Sequence, residues 1–507
     1  MTPKPDPAPF SRASGVLLHL TSLPGPHGSG DLGVNAYHFV DWLQAAGQSL
    51  WQFLPLGGVG MGHSPYMSSS AFAGNVLLID LVELQQRGWL DAADLAPEDG
   101  LTDTRVHFER VIPYRMARLQ RAARRFAAQA SAADRAELDA FRNTHAAWLD
   151  DYALFMALSE HRDQQPWTAW DAPLAQRQPE ALQAARQQHA ERIAFWVFAQ
   201  WCFFRQWAAL RAYAHSRGVK LVGDMPIFIA HNSADVWARP DLFQLDAAGQ
   251  PSVVAGVPPD YFSATGQRWG NPHYRWAAHE AEGFAWWIAR LRATFALVDM
   301  VRIDHFRGFE SCWEIPADQP TAIGGRWAPA PGAALFEAVT RALGPLPIIA
   351  EDLGVITAEV TALRQRFGFP GMRILQFAWG EQDGGRNAYL PHNHTRDTVV
   401  YPGTHDNDTT VGWWQSVPEA VRHHLREYLA CDGGDIAWTL LRTASASVAN
   451  LALFPMQDVL RLDGSQRMNT PGTAQGNWAW RFTWEQVQPT HAAGLVRLGQ
   501  LYNRLPS

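Results

Sequence analysis

Four short apolar segments of the chain are each followed closely by an acidic residue. The acids are Asp224 in "LVGDMPI", Asp304 in "VRIDHF", Glu351 in "IIAEDLG" and Asp406 in "YPGTHDN". One such acid indicates little, because a carboxylate after a strand often caps the next helix. Four acids meeting at one place would raise one another's pKa values and cost stability. We therefore interpret these four acids as candidate catalytic residues.

The neighbours of each acid indicate different roles. Arg302 and Asp304 are two apart on a predicted strand and share a face, so the guanidinium should favour the ionised carboxylate of a nucleophile. Apolar residues precede Glu351, and desolvation would raise its pKa, as in a general acid. Asp406 lies beside His405, among groups that can form hydrogen bonds. This environment suits a carboxylate that binds substrate hydroxyls. An acid and a nucleophilic carboxylate are the apparatus of retaining glycoside chemistry.

Other chemistries have weaker support in the sequence. "LGGVGMGH" at Leu56 misses the spacing of a dinucleotide loop, and the P-loop, H-E-x-x-H and G-x-S-x-G patterns do not occur. "HDNDTT" from His405 could hold a hard cation, although its carboxylates serve a sugar equally well. His305 could be an ordinary buried histidine, but its place beside Asp304 favours the site. The sequence predicts neither a metal nor a cofactor.

The sequence pattern predicts eight short strands in the segments that must position these residues. Near-continuous apolar strands alternating with helical patterns predict a parallel sheet covered on both faces. Eight such units predict an α/β fold, a (β/α)8 TIM barrel, in which the ends of the strands meet at one mouth. The predicted strands span residues 15–20, 50–54, 220–225, 297–304, 346–351, 372–377, 398–401 and 451–456.

Two gaps between predicted strands are too long to be simple connections. Residues 57–217, after strand two, have long helical patterns and predict an inserted, mainly helical subdomain. Residues 230–294, after strand three, predict a loop-rich insertion that forms part of a substrate groove. It contains "AGVPPDYFSATGQRWGNP", which we expect to be neither strand nor helix but a functional loop. The chain ends in a helical pattern, so residues 1–507 should form one catalytic barrel without a C-terminal β domain.

Composition narrows the class of protein and partner. With 42 Lys and Arg against 49 Asp and Glu, the net charge is −7, which favours neither nucleic acid nor a membrane surface as partner. Three distant cysteines, no apolar run of about 18 residues and a Pro-rich start predict a cytoplasmic enzyme. Many of the 23 Trp residues lie beside polar residues or Gly, which suits stacking on sugars as well as core packing.

Eight motifs, in order along nearly the whole chain, resemble the 4-alpha-glucanotransferase family (amylomaltase, disproportionating enzyme). Two departures from the family pattern are Cys312, where we expect an aromatic residue, and Val76, where we expect Pro. The motifs are "LTSLPGPHGSGDLG" at Leu20, "SPYMSSSAFAGN" at Ser64, "GDMPIFIAHNSADVW" at Gly223, "GVPPDYFSATGQRWGNP" at Gly256, "RIDHFRGFESCWEIPA" at Arg302, "AEDLGVIT" at Ala350, "THDNDTTVGWW" at Thr404 and "RMNTPGTAQGNWAWR" at Arg467.

The resemblance implies roles for individual residues. Asp304 would be the nucleophile that forms a covalent glucosyl-enzyme, Glu351 the acid/base and Asp406 the stabiliser of the transition state. The other implied residues all contact the glucan. Arg302, His405, Tyr66 and Asp224 would hold the glucose at the cleavage point, Ser64 and His305 the neighbouring acceptor unit, and Tyr261, Phe262, Gln267 and Trp269 would cover the chain opposite Asn477.

The implied reaction moves α-1,4-glucan segments from a donor to the 4-hydroxyl of an acceptor glucan or glucose, with retention and without cofactor or metal. Its partners would be α-1,4-glucans and maltooligosaccharides, and the protein a monomer or weak homo-oligomer. The acids alone do not separate transfer from hydrolysis, because water and a sugar hydroxyl attack the same intermediate. An α-glucan hydrolase and a non-catalytic glucan-binding barrel therefore remain alternatives.

Overall fold

A computed structural model describes residues 10–96, 98–259, 263–380 and 384–506. Its strands fall into two sheets, one parallel and one antiparallel. In chain order they are β1 (Ala13–Leu17), β2 (Leu50–Gln52), β3 (Lys220–Pro226), β4 (Val253–Val257), β5 (Gln267–Pro272), β6 (Met300–Asp304), β7 (Ser311–Pro316), β8 (Arg326–Pro329), β9 (Ile348–Ala350), β10 (Gly371–Ile374), β11 (Thr398–Tyr401) and β12 (Leu451–Pro455).

The α-helices surround the parallel sheet and fill the long connection between β2 and β3. They are α1 (Val34–Ala45), α2 (Leu81–Gln86), α3 (Phe108–Gln129), α4 (Ala132–His161), α5 (Ala172–Ala175), α6 (Pro179–Gln188), α7 (Ala190–Ser216), α8 (Ala234–Ala238), α9 (Trp276–Ala281), α10 (Ala285–Leu297), α11 (Gly332–Leu343), α12 (Ala358–Arg366), α13 (Thr410–Ser416), α14 (Glu419–Leu429), α15 (Ile436–Ala446), α16 (Met456–Val459) and α17 (Pro489–Tyr502).

The parallel sheet forms a barrel. Its eight strands follow the order β10, β11, β12, β1, β2, β3, β6, β9. The two ends of this order meet where the backbone N–H of Ala350 donates to the carbonyl of Pro370, 2.9 Å away and directly before β10. All eight predicted strands occur, and the prediction of a (β/α)8 TIM barrel is confirmed.

A layer of apolar side chains fills the barrel interior, one from each strand. Because side chains alternate between the faces of a strand, the residue two positions later points into the barrel one layer higher. The barrel is therefore a packed core with a floor on which the site is built. The layer consists of Ala13, Leu50, Val222, Met300, Ile349, Met372, Val399 and Leu451.

The antiparallel sheet corrects one prediction. The segment "AGVPPDYFSATGQRWGNP" was expected to be neither strand nor helix, but its ends lie in β4 and β5, which pair with each other. β7 and β8 extend this sheet in the order β5, β4, β7, β8. The partner strand β7 lies about sixty residues downstream, and Gly and Pro interrupt the local pattern, so local sequence does not reveal the pairing. Residues 260–262, in the middle of the segment, lie outside the described ranges.

After β12, the described residues contain α16, α17 and short turns, without another strand. None of the helices that the described ranges contain is both long enough and apolar enough to cross a bilayer.

Candidate active site

The alternation of side chains along the strands determines which polar residues lie at the base of the site. Asp224, Arg302 and Glu351 each lie two positions after a member of the apolar layer, so they point into the barrel directly above it. The register of β3 and β6 places Asp224 beside Arg302. One Nη1 of Arg302 donates to both carboxylate oxygens of Asp224, at 2.9 and 2.8 Å, and Nη2 donates to Oδ1 of Asp304 at 2.9 Å. The charged residues on the strand are therefore paired.

A hydrogen-bonded chain continues from Asp224 across the mouth. The Tyr66 hydroxyl lies 2.9 Å from Oδ2 of Asp224 and 2.8 Å from Nε2 of His405, whose ring it stacks on. Nε2 of His405 is also 3.3 Å from Oδ1 of Asp406. Asp224, paired with Arg302, can only accept, so Tyr66 donates to it and accepts from His405. The proton between Tyr66 and His405 therefore lies on Nε2 of His405.

Glu351 lies at the same end of the barrel as Asp304. Its own N–H donates to the carbonyl of Ile303 at 3.1 Å and continues the pairing of β9 with β6. Its Oε2 accepts from the backbone N–H of His305 at 2.7 Å, and its Oε1 from that of Leu353 at 2.8 Å. Because His305 directly follows Asp304, this hydrogen bond holds Glu351 close to Asp304 in the chain, and the two carboxyl groups interact electrostatically.

Burial raises the pKa of Glu351 to about 8; Arg302 opposes this shift and Asp304 adds to it. This confirms the raised pKa predicted from the apolar residues before it. Burial also raises the pKa of Asp304 above its ordinary value, against the lowering effect of Arg302. Arg302 favours the ionised carboxylate of Asp304, as predicted, but burial outweighs this effect, and Asp224 and Asp406 add to the upward shift of the pKa.

Asp406 is held by residues that the sequence analysis did not single out. Oδ1 of Asp406 accepts from the side-chain amide of Asn469 at 2.7 Å, and Nη2 of Arg467 donates to the Asp406 carbonyl at 2.8 Å. Both partners lie in the motif "RMNTPGTAQGNWAWR", beyond the last barrel strand. They end no strand, so the only signal for them was the motif itself.

His305, Trp269 and Gln267 form a second group beside the acids. His305 has a left-handed backbone conformation, with φ 54°. Its ring packs edge-on against that of Trp269, with 4.9 Å between the ring centroids. Nε1 of Trp269 donates to Oε1 of Gln267 at 3.1 Å. Burial lowers the pKa of His305 to about 3, so the ring is neutral. Tyr261 and Phe262, predicted for the same segment, lie outside the described residues.

Ser64 and Asn477 have clear structural contacts. Oγ of Ser64 accepts from the N–H of Tyr66 at 3.2 Å and caps the short turn that presents Tyr66. Oδ1 of Asn477 accepts from the N–H of Thr470, and its amide donates to the carbonyl of Thr473, both at 2.9 Å. Their contacts with substrate stay a prediction. Within the described ranges, no three His, Cys, Asp or Glu residues are grouped so as to hold a metal ion.

Comparison with known proteins decides the family. A sequence model of the 4-alpha-glucanotransferase family matches residues 18–487. The chain belongs to the 4-alpha-glucanotransferase family. A 4-alpha-glucanotransferase of Thermus thermophilus is 50% identical over 503 residues, which span 97% of this chain and 99% of that protein. A chloroplastic/amyloplastic 4-alpha-glucanotransferase of Arabidopsis thaliana is 43% identical, covering 99% of this chain and 87% of that protein.

The structural comparison agrees with the family match. Amylomaltase from Streptococcus agalactiae, solved in complex with acarbose, superposes with a TM-score of 0.95 at 39% identity and covers 98% of this chain and 100% of that one. The predicted family is therefore confirmed, and with it a transferase of the glycoside hydrolase type. This family moves α-1,4-glucan segments by a retaining mechanism through a covalent intermediate.

Proposed function

We propose that Asp304, Glu351 and Asp406 carry out the transfer in two steps. In the first, Glu351 protonates the glycosidic oxygen while Asp304 attacks the anomeric carbon; the carbon–oxygen bond breaks and the leaving glucan departs with the proton. In the second, the Glu351 carboxylate takes the proton of an acceptor 4-hydroxyl, whose oxygen displaces Asp304. Two inversions give net retention, and Asp406 stabilises the positive charge that develops on the ring.

The observation that carries this proposal is the bond from the His305 N–H to Glu351, which sets Glu351 beside Asp304. Burial then supports the division of roles. Glu351 is only 9% exposed, whereas the Asp304 side chain is 30% exposed and bonded to Arg302. A proton shared by the pair resides on Glu351, because that group is the more costly to charge.

The substrate-binding roles are part of the same proposal. The hydrogen-bonded chain of Tyr66, Asp224, Arg302 and His405 would hold the glucose unit at the cleavage point. The remaining residues would contact units on either side of it and exclude water, which favours transfer over hydrolysis. These residues are Ser64, Tyr261, Phe262, Gln267, Trp269, His305 and Asn477.

The setting of the enzyme is also proposed. We expect α-1,4-glucans and maltooligosaccharides as substrates, no nucleic-acid partner, a monomer or weak homo-oligomer, and a cytoplasmic location. The net charge of −7 supports the absence of a nucleic-acid partner.

One assay tests the activity against its alternatives. The protein is incubated with maltotriose and the products are separated by chromatography. Transfer gives glucose together with oligosaccharides longer than maltotriose. Shorter sugars alone would show a hydrolase, and an unchanged profile at high enzyme concentration would show a glucan-binding protein.

A further inference from the structure

A small cavity borders His405 at the ends of β1, β11 and β12. It is lined by residues that follow these strands, among them His19, Thr404 and Gln457, and by Trp480. Its water-accessible volume is about 20 Å³, and one ordered water needs about 10–15 Å³. The catalytic pair and Tyr66 do not line it, so the cavity lies beside the proposed glucose position and shares His405 with it.

Three of the residues that line this cavity each have a buried polar atom without a hydrogen-bond partner among the described residues. Nδ1 of His19, Oγ of Ser22 and Nε1 of Trp480 have no hydrogen-bond partner among the described residues. These residues are 6%, 0% and 5% exposed. An unpaired polar atom at such depth is costly, and one alone could be tolerated. Three around a space of this size point to a shared polar ligand.

Two segments that are far apart in the sequence, around His19 and around Trp480, contact each other at the cavity. His19 and Ser22 belong to one tight turn after β1, closed by the Ser22 N–H donating to the His19 carbonyl at 3.0 Å. The segment carrying Trp480 is fixed there because the Phe482 N–H donates to the Ser22 carbonyl at 3.2 Å. Backbone hydrogen bonds therefore hold the turn of His19 and Ser22 against the segment that carries Trp480.

His405 connects the cavity to the reaction. Its Nε2 faces Tyr66 and Asp406, and the residue also lines the cavity. His19 and His405 are close enough to interact electrostatically. Burial lowers the pKa of His19 to about 3, so His19 is a neutral ring that offers one donor and one acceptor.

We propose that the cavity is a binding site for a structural water, held by His19, Ser22 and Trp480, which keeps His405 in the tautomer that donates from Nε2. His19 is then a positioning residue: it acts on the reaction through His405. The role in the reaction rests on the proposed function, whereas the water site itself does not.

The water site is tested by a high-resolution crystal structure of the wild-type enzyme. The expected result is an electron-density peak within hydrogen-bond distance of His19 Nδ1, Ser22 Oγ and Trp480 Nε1. A cavity without such a peak, or one in which these side chains turn to pair with protein atoms, overturns the proposal whatever the activity of the enzyme.

The positioning role is tested by kinetics with maltotriose. Ser22→Ala and Trp480→Phe each remove one partner of the water, and we expect kcat to fall about tenfold with KM changed less than about twofold. The double variant should be no worse than either single one, because all three groups act through one water. Trp201→Phe is the matched control: its buried Nε1 is also unpaired among the described residues, but it lies in α7.

A comparison at His19 separates positioning from packing. His19→Asn keeps a polar atom where Nδ1 stands and should retain more kcat than His19→Leu, at equal thermal stability. Unchanged kcat in every folded variant, or fully additive losses in the double variant, would overturn the positioning role. Loss of maltotriose transfer in the wild type would instead remove the proposed function and leave the crystallographic result standing.

Discussion

The raised pKa of Glu351 predicts that the variant Glu351→Gln gains stability relative to the wild type as the pH rises. A carboxyl whose pKa is higher in the folded than in the unfolded chain binds its proton more tightly in the folded state. The folded state therefore loses stability as pH increases from the unfolded pKa to the folded pKa, and the loss is constant above that range. Glu351→Gln removes this penalty, since an amide does not ionise.

The magnitude follows from the two pKa values. The ordinary value is 4.5 and the folded value about 8, and each pKa unit corresponds to about 1.4 kcal/mol. The wild-type penalty is therefore about 1 kcal/mol at pH 5 and about 3 kcal/mol at pH 7. The amide also loses one of the two bonds accepted from the N–H groups of His305 and Leu353, a pH-independent cost of about 1–3 kcal/mol. The stability of Glu351→Gln relative to wild type should thus rise by about 2 kcal/mol between pH 5 and pH 7.

The assay is urea denaturation of both proteins at pH 5, 6 and 7, followed by tryptophan fluorescence. Comparing variant with wild type at each pH cancels the other titrating groups that the two proteins share. Glu137→Gln in α4, where the side chain is exposed, controls for removing a surface carboxylate. A difference between Glu351→Gln and wild type that stays constant from pH 5 to pH 7 would refute the buried, proton-holding environment of Glu351.

Three further predictions concern the reaction. Asp304→Ala should lower transfer by orders of magnitude while maltooligosaccharide binding, measured by calorimetry, survives; wild-type turnover in this folded variant would contradict the nucleophile role. The pH profile of kcat/KM should be bell-shaped: activity rises as Asp304 ionises, above the usual aspartate range, and falls through about pH 8 as Glu351 loses its proton, with both limits belonging to the coupled pair. Activity still rising at pH 10 would exclude Glu351 as the acid. Asn469→Ala should reduce kcat about tenfold, because it frees Asp406; Asn477→Ala, in the same segment, is the comparison, and equal losses in kcat would deny Asn469 its specific contact.

The part of the site that lies on strands could be predicted from the sequence. Side-chain alternation fixes which residues of a strand face the barrel interior, so an acid two or four positions after an inward apolar residue must reach the mouth. Asp224, Arg302, Asp304 and Glu351 all follow this rule. Their mutual contacts required no knowledge beyond strand order, because neighbouring parallel strands end at the same edge.

The parts of the site that lie on connections could not be derived in this way. Tyr66 is presented by a short turn between β2 and β3, and Asn469 by a segment after β12. Their positions depend on tertiary contacts with residues more than sixty positions away, for which local sequence has no periodic signal. Tyr66 was found only through the family resemblance, and Asn469 was missed. The pairing of β4 with β7 was missed for the same reason.

The balance of charge around Arg302 explains why Glu351 retains a proton. Asp224, Asp304, Glu351 and Asp406 interact through one cluster in which Arg302 bonds directly to the first two. With all four carboxyl groups ionised, the cluster would carry a surplus of negative charge that the buried strand ends solvate poorly. Retaining one proton reduces that surplus, and burial favours Glu351 as the group that holds it. The proton that the first reaction step consumes is thus the one that the buried environment of Glu351 favours retaining.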